Sequence, residues 1–330
     1  MASENTHMRA AAVVILVRLS VTGVCGTDIA LASGELGPTQ PILGHEGVGY
    51  IAQLGCNVPV TSSTQIGSRV GISFLRDICG VCPCCMRPGG ETRCQRKIHS
   101  GRSVNGTFAE YTLVPARYLL RIPESVGVVD ELIAPILCGG VTAYTALKGC
   151  GVAAGEWIAI VGAGGGVGSL GTQYARAMGY RVLAIDVGET KRGLCLESGA
   201  EYFIDAGKAT RPRDEVDALT AGCGVRAAIV CATSGVAYNM SLGLIAPFGR
   251  LVCVGIPAPD QLASFHPLLL IDQGIEIVGS AVGTKGDILE AIGFVEQGHV
   301  KPVITVHGLD ELPGLMGDFN QVAGKIVIRM

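Results

Sequence analysis

Between residues 157 and 186 the chain reads WIAIVGAGGGVGSLGTQYARAMGYRVLAID, and this stretch constrains the surrounding fold more than any other. An apolar run of strand length, residues 157–161, enters a turn holding Gly162, Gly164, Gly165, Gly166 and Gly168, too flexible a series for a helix interior. From Val167 the residues Val167, Leu170, Gly171, Tyr174, Ala175 and Met178 recur at helical spacing until Gly179, the residue type that commonly follows a helix C-terminus. A second run, residues 181–185, delivers Asp186 at its end. In order, this is a βαβ dinucleotide site. Glycines admit the backbone to a pyrophosphate, the helix N-terminus offers unpaired N–H groups and a positive dipole end, and an acid about 20 residues on accepts ribose hydroxyls. The spacing Gly162, Gly165, Gly168 is one residue longer than the standard fingerprint, so the reading rests on strand, turn, helix, strand and acid together. Gly162, Gly165, Gly166, Val167 and Gly168 are the candidate contacts to the cofactor. A carboxylate at Asp186 binds a 2′-hydroxyl and repels a 2′-phosphate, which favours NAD over NADP. Lys191 has two readings, a cation that could tolerate phosphate and a solvated helix lysine.

At 330 residues the chain is longer than one core normally serves, so two domains are expected. With 48% hydrophobic and 16% charged residues it reads as globular rather than disordered. A net charge of −3 supplies no basic field for nucleic acid or an anionic membrane. Arg9 and Arg18 bracket the N-terminal apolar segment too closely for a transmembrane span, and no export signal is evident, so a cytoplasmic location is expected. Thirteen cysteines in such a chain predict metal ligation and reduced thiols before disulfides.

Two groups of possible ligands stand out. Cys25 follows a strand-like run in GVCGTD, His45 lies in GHEGVGYI beside Glu46, and Cys138 lies in PILCGGVTAY just ahead of the nucleotide-binding stretch. Two thiolates and an imidazole are a set that zinc accepts in catalytic sites, where a fourth position stays open. Cys79, Cys82, Cys85 and Cys94, in CGVCPCCMRPGGETRC, form two CxxC steps sharing Cys82 plus a returning fourth sulfur. That suits a closed tetrahedral zinc, which folds a lobe and does no chemistry. Cys84 is a spare thiol that could substitute for Cys85. His99, His266, His299 and His307 show no ligand spacing.

Beyond Asp186, short apolar runs at 201–205, 225–233, 249–257 and 275–283 alternate with helical or turn segments, which supports a doubly wound parallel sheet of six strands. Val254, Gly255, Ser280 and Val282, at strand C-termini, have two readings, lining of a nicotinamide pocket and plain sheet core. From Thr284 the chain is expected to rejoin the first domain.

GVCGTD, GHEGVGYI, the cysteine lobe, GTFAEY, APILCGGVTAYTALK, the glycine turn and VAGKIVI, in this order, resemble the zinc-dependent alcohol dehydrogenases of the medium-chain dehydrogenase/reductase superfamily, specifically the yeast-type NAD-dependent ones. The resemblance runs from about Val13 to the end of the chain. It implies an α/β protein with a Rossmann doubly wound sheet over residues 139–283 and a GroES-like, mostly β catalytic domain over 1–138 and 284–330, carrying a zinc lobe at about 79–94. It implies hydride transfer between NAD(H) and a primary or secondary alcohol, aldehyde or ketone, with one catalytic and one structural zinc and a homo-oligomer, dimer or tetramer. Carried over position by position, it makes Cys25, His45 and Cys138 the catalytic ligands and Glu46 an acid able to approach the metal. It makes Asp28 the carboxylate that orients the histidine and Thr27 the hydroxyl that bonds the alcohol oxygen. Thr142 falls near the nicotinamide, and Lys325 where the family places a cation on the pyrophosphate.

Three departures from the pattern matter. An additional strand pair normally separates a start like MRAAAV from LVRLSVTGVC, and here the two nearly fuse, so the catalytic domain is expected to be shortened and its exposed strand edges to favour self-association. Ala30 stands where many relatives carry a proton-passing histidine, which admits as an alternative a reductase of conjugated C=C or C=N bonds. The compressed start admits a second, a truncated NAD-binding relative without catalysis. The loop from Cys85 to Cys94 is one residue longer than in the yeast type, and Phe74 stands near their pocket-narrowing tryptophan, which hints at a substrate larger than ethanol.

Overall fold

The computed structural model describes residues 13–61, 64–319, 322 and 324–330. The fused start at residues 8–12 therefore lies outside the described residues. The chain forms two compact units. One is built from the described residues of Met1–Cys138, Gly283–Glu296 and Pro302–Met330, the other from Gly139–Val282 and Gln297–Lys301.

The first unit opens with β1 (Val14–Val24), β2 (Glu46–Leu54), β3 (Arg69–Ile72), β4 (Leu75–Asp77), β5 (Ile98–His99), β6 (Tyr111–Pro115) and β7 (Leu120–Arg121). β1 pairs along its length with β2 and carries register shifts at Leu16/Val17 and Leu19/Val21. Such bulges bend a strand. Its first half thereby pairs with β6 and its second half with a strand from the end of the chain. Alternate residues Ile15, Val17 and Leu19 turn inward against Ile51, Val70, Ile72 and Val114, the period-2 burial of a sheet with one face packed. β4 and β5 pair as a separate small ribbon beside the cysteine lobe.

The second unit holds β8 (Trp157–Val161), β9 (Arg181–Asp186), β10 (Tyr202–Asp205), β11 (Val225–Val230), β12 (Ile245–Cys253) and β13 (Glu276–Gly279). They form a six-stranded sheet in the order β10-β9-β8-β11-β12-β13, every pairing parallel. This is the doubly wound arrangement expected, with the strand order reversing beside β8. The inner strands β8 and β9 read as continuous apolar runs because both faces are buried: Ile158, Ala159, Ile160, Val182, Leu183, Ala184 and Ile185 are each fully or almost fully enclosed. Three strands differ in extent from the expected runs: β11 stops at Val230 rather than 233, β13 stops at Gly279 rather than 283, and β12 is displaced toward the N-terminus. β12 begins at Ile245 rather than 249, with Pro247 and Gly249 taken up in an irregularity between the pairs Val225↔Ile245 and Ala227↔Arg250, and ends at Cys253 rather than 257.

The chain then returns to the first unit with β14 (Ile304–Gly308) and β15 (Lys325–Arg329), which complete the order β14-β15-β1-β2-β3-β7. Among the described residues no helix is long and apolar enough to cross a membrane.

Candidate functional site

The first unit gathers the ligand atoms of Cys25, His45, Glu46 and Cys138 within 4.8 Å of one another, all buried. β1 ends one residue before Cys25, and the helix Gly26–Ala32 starts one residue after it. Asp28, in that helix's first turn, reaches back to the Cys25 N–H through Oδ2 at 3.0 Å. Its Oδ1 accepts from the Gly44 N–H at 3.0 Å and lies 2.9 Å from His45 Nδ1. One carboxylate thus ties the Cys25 turn to the His45 turn and fixes the imidazole, with a proton on Nδ1 and Nε2 facing the sulfurs. Gly44 has φ 94°, and a Cβ there would press on Thr107 and Phe108. Gly23 pairs with Glu46 across β1 and β2, and a Cβ there would overlap the Glu46 carboxylate.

His45 Nε2 is buried without a hydrogen-bond partner among the described residues, as is Glu46 Oε2. An orphaned buried polar atom costs about 1–3 kcal/mol, a cost that a metal bond removes. Cys25 Sγ and Cys138 Sγ lie 3.9 Å apart. Two sulfurs about 2.3 Å from a common tetrahedral zinc are separated by about 3.8 Å. The donor set and its spacing therefore fit zinc. A hydrogen bond with Cys138 drives the Cys25 thiol well below its ordinary value against the opposing effect of burial, with Lys325 assisting. Burial pulls His45 down, but Asp28 outweighs it and raises the imidazole, so loading a cation here releases protons.

Thr27 Oγ1 stands 3.8 Å from Cys25 Sγ, at the rim of the cluster. Phe74 packs edge-on against the His45 ring at 5.1 Å, and on its other side stacks on His99 at 4.3 Å. Burial and the nearby Lys97 and Arg102 hold His99 down at about 4, so it is a neutral stacking partner near pH 7. Lys325, expected on a cofactor's pyrophosphate, is only 4% exposed, and its Nζ lies 2.6 Å from Glu46 Oε1 and 3.1 Å from the Val24 carbonyl. A buried ammonium needs a counter-charge. Lys325 finds it in Glu46, a pairing that the sequence did not reveal.

The second group is equally compact, though only Cys82 and Cys94 of it are fully buried. Cys79, Cys82, Cys85 and Cys94 bring their sulfurs within 4.8 Å of one another, and Cys84 is not among them. Three of the separations, Cys79–Cys85 at 3.9 Å, Cys82–Cys85 at 3.5 Å and Cys79–Cys94 at 3.6 Å, again suit a tetrahedral ion. The Val81 N–H is the main influence pulling the Cys79 thiol down to about 6, the thiolate a metal requires.

The second unit holds the glycine turn. Gly162 has φ 83° and a Cβ there would strike the Ala232 backbone, while a Cβ at Gly168 would overlap the Gly162 carbonyl oxygen. Those two glycines serve the chain's own packing. Gly165 does not: it is exposed, and a Cβ there would meet only the Gly162 oxygen, at 3.4 Å. It precedes the 12-residue helix Gly166–Ala177, which no side chain caps, so the first-turn N–H groups of Gly166, Val167 and Gly168 remain for an anion. This cradle fits a pyrophosphate. Asp186 ends β9, with Oδ2 accepting the Gly164 N–H at 2.7 Å and Oδ1 accepting Val187 N–H at 2.7 Å and Lys191 Nζ at 2.8 Å. A carboxylate has about four acceptor positions, so one on Oδ2 is left for a ribose hydroxyl. Lys191 is thereby the counter-ion of Asp186, where the sequence had left two readings open.

Val254 and Ser280 follow the C-terminal ends of β12 and β13. Val282 has φ 38°, a rare backbone for a β-branched residue, and its carbonyl accepts the Thr145 hydroxyl at 2.5 Å. Thr142, one helical turn before Thr145, offers its carbonyl to the same hydroxyl at 3.3 Å.

Residues 12–124 match the family model described as alcohol dehydrogenase GroES-like domain, and residues 166–297 match that of zinc-binding dehydrogenase. The alcohol dehydrogenase of Schizosaccharomyces pombe is 40% identical over 320 residues, 95% of this chain and 89% of that protein. One from Geobacillus stearothermophilus is 37% identical over 322 residues, 96% of this chain and 91% of the relative. Among solved structures, the alcohol dehydrogenase of the hyperthermophilic archaeon Aeropyrum pernix superimposes with a TM-score of 0.85 at 29% identity, covering 97% of this chain and 93% of its own.

Proposed function

This chain belongs to the zinc-dependent alcohol dehydrogenases of the medium-chain dehydrogenase/reductase superfamily, and from that premise we propose that it transfers hydride between NAD(H) and a primary or secondary alcohol or the matching aldehyde or ketone. The observation that carries this reading is the buried trio Cys25, His45 and Cys138 with His45 Nε2 unsatisfied.

Cys25, His45 and Cys138 would hold a catalytic zinc, and Cys79, Cys82, Cys85 and Cys94 a structural one. When bound, the catalytic zinc supplies a Lewis acid for an alcohol or carbonyl oxygen, and NAD supplies the hydride acceptor. The chain's own residues do the rest. Asp28 keeps the imidazole proton on Nδ1, and Thr27 Oγ1 takes up and passes on the alcohol proton. Ala30 carries no proton, so the relay through the chain ends at Thr27, and slower oxidation follows than in relatives with a histidine there. The Gly165 cradle and the helix after it bind the pyrophosphate, and Asp186 bonds the adenosine ribose. Phe74, pressed against His45, forms a wall beside the reacting oxygen. Neither the C=C or C=N reductase nor the inert relative is favoured: the matched relatives carry the name alcohol dehydrogenase, and the ligand trio is intact.

The test follows the label. With NADH deuterated at C4 and a panel of aldehydes and conjugated enals, deuterium is expected at the carbinol carbon. Deuterium at the carbon β to the carbonyl, or none in any product, would sink the reading.

We also propose self-association, which a strand at the end of its sheet supports. β13 ends its sheet with Glu276, Ile277 and Gly279 exposed. Phe248 on β12 and Ile271 just before β13 are 80% and 78% exposed. Antiparallel pairing of two copies of β13 about a twofold axis would extend the sheet and cover these side chains. Light scattering is expected to give two or more times the 34.0 kDa chain mass, and Ile277→Lys to lower it. A monomeric native protein overturns this part alone.

A further inference from the structure

Behind Asp186 lies a second acid. Asp205 ends β10 directly across the parallel ladder from Asp186, so two carboxylates leave the sheet side by side. Both act on the turn that follows β9. Asp186 Oδ1 takes the Val187 N–H, and Asp205 Oδ1 takes the next one, Gly188 N–H, together with that of Gly207, each at 3.0 Å. Gly188 has φ 97°, a conformation that this pinning maintains.

The two charges are balanced differently. Asp186 has a direct ion pair with Lys191. Asp205 Oδ2 is buried without a hydrogen-bond partner among the described residues, and its nearest cation, Lys208 Nζ, stands 3.7 Å away on a side chain 71% in solvent. The Gly188 N–H foremost, and that of Gly207, hold the Asp205 carboxyl below its ordinary range, so it is ionised near pH 7. The end of β10 therefore carries a fixed, incompletely neutralised negative charge, and the turn it pins is the one that leaves the ribose acid.

We propose that Asp205 is a second specificity-determining residue for the dinucleotide, a charge that disfavours a 2′-phosphate beside Asp186. This rests on the reading of Asp186 as the ribose-binding acid. A neutral 2′-hydroxyl does not feel Asp205 appreciably, whereas a 2′-phosphate brings about two negative charges toward two carboxylates rather than one. Neutralising Asp186 alone then leaves part of the barrier standing.

Fluorescence titration of the whole chain with NADH and NADPH tests this without turnover. Asp205→Asn keeps Oδ1 as acceptor for both N–H groups and removes only the charge. It is expected to tighten NADPH about fivefold, with NADH within about twofold of wild type, and the gain should fade at high salt as screening predicts. The same change in an Asp186→Asn background should again favour NADPH. Lys208→Ala, an exposed change that leaves Asp205 less balanced, should weaken NADPH about twofold. The inference fails if neither Asp205→Asn nor Lys208→Ala moves the NADPH-to-NADH affinity ratio, or if Asp205→Asn weakens both dinucleotides equally, which marks a residue that only holds the turn. A wild-type chain that binds NADPH as tightly as NADH overturns the reading of Asp186 itself, and this inference with it.

Discussion

Replacing His45 by Ala is expected to lower kcat/KM for alcohol oxidation about a thousandfold, the equivalent of roughly 4 kcal/mol of transition-state stabilisation. The same variant is expected to bind one zinc, and the wild type two. The imidazole Nε2 is the only nitrogen donor in the trio, and it is buried with no hydrogen-bond partner among the described residues. Two thiolates alone leave the ion short of ligands, so both its affinity and its position suffer. Asp28 is not stranded by the change, because it still accepts the N–H groups of Cys25 and Gly44, so the loop it ties together stays in place. The cysteine lobe shares no residue with the trio and keeps its ion. NADH binding, which draws on the other unit, should be unchanged. Metal analysis, steady-state kinetics and a dinucleotide titration on one preparation check all three. A variant that retains two zincs and wild-type kcat/KM removes His45 from the metal and the proposed mechanism with it.

Much of this site was legible in the sequence, and the reasons are chemical. Zinc demands sulfur and nitrogen donors, so Cys25, His45, Cys138 and the four lobe cysteines announce themselves by residue type. A tight strand-to-helix turn and an open cradle both demand glycine, so the turn at 162–168 stands out too, although Gly162 and Gly168 serve the chain's own packing and only Gly165 leaves the cradle open. Strand existence in the second unit followed from apolar runs, because strands covered on both faces need no polar alternation. What escaped depended on distance along the chain or on local irregularity. Lys325 meets Glu46 across 279 residues, and no periodicity links them. Phe74 was placed near the pocket, but only the fold shows its ring between His45 and His99. The early start of β12 is hidden by a proline and a glycine that a bulge accommodates. Asp205 looked like the last residue of an ordinary strand until the ladder set it opposite Asp186.

Lys325→Met is expected to destabilise the first unit by about 3–5 kcal/mol, the usual cost of leaving one member of a buried ion pair alone. Glu46 is wholly enclosed, and Lys325 is its one ion-pair partner among the described residues. Methionine fills the volume of the lysine stem, so the effect measured is that of the missing charge rather than of a cavity. The Val24 carbonyl also loses a donor at the point where β1 joins β15, with Val24 opposite Ile326. Adding Glu46→Gln to Lys325→Met removes the stranded charge and should restore more than half of the loss, because a buried pair is worth little over neutral groups of the same shape. Denaturant titrations of the metal-free single and double variants, followed by a probe in the first unit, measure the difference. The pair also explains why so costly an arrangement sits beside the metal ligands. The ammonium holds Glu46 Oε1 while Oε2 stays unsatisfied within the ligand cluster, so the carboxylate is kept close to the metal position without being committed to it. If Lys325→Met costs less than about 1 kcal/mol and Glu46→Gln recovers none of it, the ion pair is not what holds Glu46 there.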